Sequence, residues 1–144
     1  MIQRVQSIWL LLAAAAAFFT LNFSFYSGNF IDPKVTPAAK TFVRVTAQSN
    51  VFLLILTVGV GIAAIIAIFL YKDRKQQLRV VLAAIVASLI NIVLYFLQVG
   101  KFVPGEGAYE IWAVLIFIIP IFLILAARGI YRDQKLIKSL NRLR

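Results

Sequence analysis

Two long apolar runs, residues 51–71 and 80–97, stand on either side of one short polar turn, Lys72-Asp73-Arg74-Lys75-Gln76-Gln77-Leu78-Arg79. Neither run contains a charged residue. A helix needs about 20 apolar residues to cross ~30 Å of hydrocarbon at ~1.5 Å per residue, and both runs reach or approach that length. Few architectures accept such a hairpin. A water-soluble domain is about 45–50% apolar, whereas this 144-residue chain is 62% hydrophobic with a mean hydropathy of +0.94. The excess is gathered into blocks, which points to membrane spans rather than to an oily soluble core.

Two further apolar runs, 8–26 and 109–127, flank the hairpin. The expected fold is therefore an all-α membrane protein, a single domain built as an antiparallel four-helix transmembrane bundle. Its spans are expected near 8–26, 51–71, 80–99 and 109–127, followed by a basic amphipathic C-terminal helix within 128–144. The first run also resembles a signal peptide. A retained helix is the preferred reading, because Ala13 to Ala17 lie inside the run and Phe18, Phe19, Leu21 and Phe23 extend it past a normal cleavage point. In the connection that follows, Ser27-Gly28-Asn29 is expected to break the helix, and Pro33 and Pro37 to delay the next one. The alternating stretch 41–46 suits an extended strand or loop. Lys101-Phe102-Val103 is a candidate partner for it in a two-stranded cap. Ser49 or Asn50 should cap the second span, and Pro120 should kink the fourth.

Orientation follows from charge. The 15 Lys and Arg residues divide unevenly. Arg4, the four in the turn at 72–79 and the six from Arg128 to Arg144 fall on one side, against Lys34, Lys40, Arg44 and Lys101 on the other. Basic connections remain cytoplasmic, so both termini are expected there, in a cytoplasmic (inner) membrane. Tyr26, Tyr95, Tyr109 and Trp112 then fall near one membrane boundary, and Trp9, Tyr71 and Tyr131 near the other, the levels that amphipathic rings prefer. The net charge of +10 is read as topology and lipid attraction, not as a nucleic-acid footprint.

The absence of Cys and His removes thiol nucleophiles, disulfides, Cys/His zinc sites and imidazole acid–base chemistry. Apart from Glu110 at the very start of the fourth, no Asp, Glu, Lys or Arg lies inside an expected span, which argues against proton relays and intramembrane hydrolysis. No phosphate loop or paired-carboxylate site is present, so no catalytic residue, cofactor or metal is assigned. Glu106 and Glu110 read as an i, i+4 pair at the start of the fourth helix, favourable near a helix N-terminus.

Polar residues within the spans are more informative. Counting ~1.5 Å per residue from the span ends places Asn22, Thr57 and Asn91 at one level. They form a candidate interhelical polar layer, acting as structural glue or lining a small polar pocket. Small residues recur every four positions at Gly59/Ala63/Ala67, Ala13/Ala17 and Ala83/Ala87, a spacing that lets helices approach closely. In the tail, Leu136, Ile137, Leu140 and Leu143 share a helical face, and Arg132, Lys135, Lys138, Arg142 and Arg144 are candidate contacts for anionic lipid or a protein partner.

The start of the chain, Met1-Ile2-Gln3-Arg4-Val5-Gln6-Ser7-Ile8-Trp9-Leu10-Leu11-Leu12-Ala13-Ala14, resembles the opening of an uncharacterised family of small four-span inner-membrane proteins of Bacteroidota. The end, Ala126-Ala127-Arg128-Gly129-Ile130-Tyr131-Arg132-Asp133 with Leu136, Lys138-Ser139 and Arg142-Leu143-Arg144, resembles it too. Gln134 and Asn141 stand where that pattern would place Glu and Asp. The resemblance implies location and topology and assigns no activity. Two function classes follow. One is a non-enzymatic accessory or scaffold subunit of an envelope complex. The other is a small transporter or a lipid- or ligand-binding protein that uses the polar layer. The expected partners are membrane lipids, through anionic head groups at the cytoplasmic face, and a protein in the membrane; nucleic acid is not expected.

Overall fold

The first helix, α1 (Ile2–Phe19), ends well before the apolar run does. The Thr20 hydroxyl donates to the Ala17 carbonyl at 2.7 Å. The amides of Leu21 and Asn22 then bond three residues back, to Phe18 and Phe19. This tightening closes the helix and frees the chain to enter a strand. The computed structural model describes residues 2–31 and 40–142, with side chains over 5–30 and 42–140. Pro33, Lys34 and Pro37 lie outside the described residues, as do Leu143 and Arg144.

Three strands follow from the two connections: β1 (Tyr26–Ile31), β2 (Lys40–Val45) and β3 (Phe102–Tyr109). They form one antiparallel sheet in the order β2-β1-β3. The all-α expectation is corrected here. The residues expected only to break the first helix, Ser27-Gly28-Asn29, form the central strand, and it separates the two segments that were expected to pair with each other. Gly28 pairs with Gly107. A side chain on either would collide, with the Gly107 backbone in one case and the Tyr26 ring in the other. Two glycines opposite each other weaken a pair of strands, and here an aromatic ring covers the gap, as at rescued edge glycines in designed sheets.

Helix α2 (Val51–Phe69) is capped by Asn50, whose side chain accepts from the Phe52 amide at 2.9 Å. One 3₁₀ turn, Leu70–Lys72, leads to Asp73. That carboxylate accepts from the amides of Lys75 and Gln76 and starts α3 (Arg74–Val99). Most of the expected polar turn is thus the first turns of α3, because an N-cap followed by good helix formers starts a helix at once. Helix α4 (Ala113–Arg142) runs unbroken through buried Pro120 and on to the end of the described chain. The expected span at 109–127 and the separate tail helix are one element of 30 residues.

Helices α2, α3 and α4 are long and apolar enough to cross a membrane; the apolar part of α1, Val5–Phe19, is shorter. Helix α1 packs against α2 and α4, and α3 packs against the same two. Their shared core is built largely from small residues, among them Ala13, Ala17, Ala64, Ala67, Ala84 and Ala126. Large apolar side chains such as Ile55, Ile62, Phe69, Leu89, Val93 and Ile121 point outward. This distribution suits hydrocarbon solvent better than water.

The expected small-residue stripe on α1 is buried at both Ala13 and Ala17, and Ala67 of the α2 stripe is buried too, while Gly59 and Ala83 are not. On α2, Gly59 is exposed and a Cβ there would meet no neighbour within 4 Å, while Gly61 and Ala64 are buried and Gly61 takes the Phe18 ring of α1. On α3, Ala84 rather than exposed Ala83 faces inward. A second core of Phe25, Tyr26, Tyr95 and Phe102 joins the sheet to the helix ends.

Candidate functional site

Thr57 on α2 and Asn91 on α3 meet in the interior. The Asn91 Nδ2 donates to Thr57 Oγ1 at 2.8 Å, and both residues are buried. Asn91 Oδ1 is also buried and has no hydrogen-bond partner. Beside it lies a cavity of about 10 Å³ lined by Ala17, Val60, Ser88, Ile116 and Ile119 along with the pair. A buried water needs about 10–15 Å³, so the space admits a single water and nothing larger. The Ser88 hydroxyl is spent on its own helix, donating to the Ile85 carbonyl at 2.7 Å. Tyr95, one turn beyond Asn91, holds its hydroxyl beside Thr20 and Thr57.

Asn22 is not part of this layer. It sits exposed in the turn after α1, because that helix starts at Ile2 and ends at Phe19, which moves every residue of the run relative to a count taken from Ile8. Thr20 occupies the inward position instead, 3% exposed.

A second polar cluster lies at the opposite, basic end of the helices. Asp133 of α4 accepts from Gln6 Nε2 of α1 at 2.7 Å and from Arg74 Nη1 of α3 at 2.5 Å. Gln6 and Asp133 are buried and Arg74 partly so, which makes the carboxylate a three-helix junction. The close approach of Gln6 depends on Gly129, where a Cβ would lie 2.7 Å from Gln6 Cγ. Nearby, Gln77 Nε2 of α3 donates to the Ala67 carbonyl at 2.8 Å and so ties down the last turn of α2. This junction was not among the contacts expected from the sequence. One signal was available: Asp133 is the sole acidic residue from Arg128 to Arg144.

Two grooves flank the junction. One, of about 520 Å³, runs between α1 and α4, walled by Val5, Trp9, Leu125 and Leu136, with Arg128 and Arg132 on its α4 side and Gln6 and Gly129 at its base. The other, of about 480 Å³, lies between the start of α3 and α4 and includes Lys72, Lys75 and Lys138. Arg132, Lys135 and Lys138 are exposed. Arg142 ends α4 with its side chain outside the described residues, as is the whole of Arg144.

The two glutamates at the sheet end do not form an i, i+4 helical pair, since α4 begins only at Ala113. Glu106 lies in β3 and accepts from Asn29 Nδ2 at 3.0 Å; Glu110 follows the strand and faces Arg44 at 3.8 Å. Among the described residues, no group of three His, Cys, Asp or Glu side chains converges as a metal site would require.

The chain matches the model of the domain of unknown function DUF4293 over residues 2–143, and it belongs to that family. No curated protein and no solved structure matches it.

Proposed function

We propose that this family member is an inner-membrane protein of the Bacteroidota type, an antiparallel four-helix transmembrane bundle that works by contact and not by catalysis. In this reading it is an accessory or scaffold subunit of an envelope complex. Both termini are cytoplasmic, and α1 completes the crossing beside three longer helices. The observation that carries the reading is the closed interior. The Thr57–Asn91 layer leaves about 10 Å³, too little for a solute, while exposed Arg128, Arg132, Lys135 and Lys138 stand on the surface around one end. Their placement favours anionic head groups and a protein partner at the cytoplasmic face.

The transporter reading would need a path to Asn91 and a site of useful size; ligand sites run to about 300–1,000 Å³. Crosslinking in native membranes followed by mass spectrometry tests the proposal. Recurrent crosslinks from Lys135 and Lys138 to one other membrane protein are the expected result. Solute uptake into vesicles that depends on the purified protein would overturn it.

A further inference from the structure

We infer that the α1–α4 groove is a binding site for one anionic phospholipid. Its phosphate is held by Arg128 and Arg132, and one acyl chain lies along Trp9 and Leu125. This deepens the membrane reading above and rests on it.

The groove joins two kinds of surface that a lipid also joins. Val5, Trp9, Leu125 and Leu136 give it apolar walls, and Arg128 and Arg132 are exposed beside them. The two arginines are four positions apart on one helix, so they rise about 6 Å from one another on the same face. That spacing lets two guanidinium groups address one phosphate, for which their planar donor forks are suited. Neither arginine makes an ion pair or hydrogen bond among the described residues, whereas Arg74 on the other side of the junction is committed to Asp133. The charge in this groove is therefore free for an outside anion.

The groove exists because Gly129 has no side chain between the arginines and because Gln6 is drawn down to Asp133. Both features keep its floor low. Trp9 is fixed on the wall by the Phe122 ring at 5.5 Å between centroids. Its volume of about 520 Å³ falls in the range of small-ligand sites, about 300–1,000 Å³, and fits a head group with the first part of a chain. A protein helix would need a longer apolar trough than one interrupted by two cations.

The test uses the full-length protein in neutral-lipid nanodiscs doped with phosphatidylglycerol. Bound lipid is read by native mass spectrometry after release into detergent. One phosphatidylglycerol per chain should be retained over phosphatidylcholine. The Arg128→Gln/Arg132→Gln pair should lower retention about tenfold, equivalent to about 1.4 kcal/mol for the two contacts together. The charge-matched Lys135→Gln/Lys138→Gln pair should leave it unchanged, and soluble glycerol phosphate should not displace the lipid. Equal losses in both pairs, or equal retention of the two lipids, would overturn the site. Equal melting temperatures for the wild-type and arginine-variant proteins in pure phosphatidylcholine exclude misfolding as the cause. Release of the native protein by carbonate washing would instead sink the membrane reading itself.

Discussion

The Asn91 amide reaches 2.8 Å to the Thr57 hydroxyl across the α2–α3 interface, while its own carbonyl oxygen is buried without a partner. The pair is thus half satisfied, and removing one member should hurt more than removing both. Thr57→Val strands the whole Asn91 amide in an apolar interior and should lower stability by about 1–2 kcal/mol. Thr57→Val with Asn91→Leu leaves no amide to strand and should recover most of that loss. Ser88→Ala should do less than Thr57→Val, since Ser88 bonds only within α3. Thermal unfolding in detergent checks the order, and a double variant less stable than the Thr57 single variant would contradict it.

Asp133 holds Gln6 and Arg74 at once. Asp133→Ala leaves Arg74, which is partly buried, without its counter-charge and should cost about 2–3 kcal/mol. A cycle with Arg74→Ala should show coupling of about 1 kcal/mol or more, as for residues in one network. Strict additivity in denaturation would mean that the contact contributes no stability.

Gly59 and Gly61 are two positions apart on α2 and should respond in opposite directions. A methyl at Gly59 meets nothing within 4 Å, so Gly59→Ala should raise stability by up to about 1 kcal/mol through helix propensity alone. At Gly61 the same methyl would stand 2.9 Å from Phe18 Cζ. Gly61→Ala should therefore lower stability by about 1–3 kcal/mol, the usual range for overpacking. Melting temperatures of the two variants in one detergent settle the comparison.

Lys135 and Lys138 lie on the exposed last turns of α4. Lys135→Gln/Lys138→Gln should change stability by no more than about 0.5 kcal/mol, as surface substitutions do. In native membranes it should reduce capture of the crosslinked partner. A large stability change would show that these lysines serve the fold and not a partner.

Element type was legible where the apolar blocks are long, because burial of apolar mass and the span length act over many residues at once. Phase was not. The four-residue spacing of small residues on α2 was visible, but whether Gly59 or Gly61 faces α1 depends on a rotation of the helix that hydropathy does not encode when all sides are apolar. The sheet was only half legible. Alternation marked 41–46, but β1 passes through Gly28, which a residue-by-residue reading takes as a breaker; its strand character depends on Gly107 opposite and the Tyr26 ring above. Asn22 was misplaced by counting depth from an assumed helix start. Thr57 and Asn91 were found because their depths were counted within runs whose helices do extend through them. The Gln6–Asp133 contact joins residues 127 positions apart, and no local pattern announces such a partner.

That separation also has a consequence for biosynthesis. Helix α1 packs most extensively on α4, and translation proceeds at about 5–20 residues per second. Roughly 6–25 s pass between the synthesis of Gln6 and that of Asp133, at those rates over 127 positions. During that interval α2 can cover one side of α1, while the side meant for α4 waits with a buried-type amide on it. Helix α1 is thus made before its principal neighbour α4 exists, and its α4-facing side stays uncovered until that partner has been synthesised.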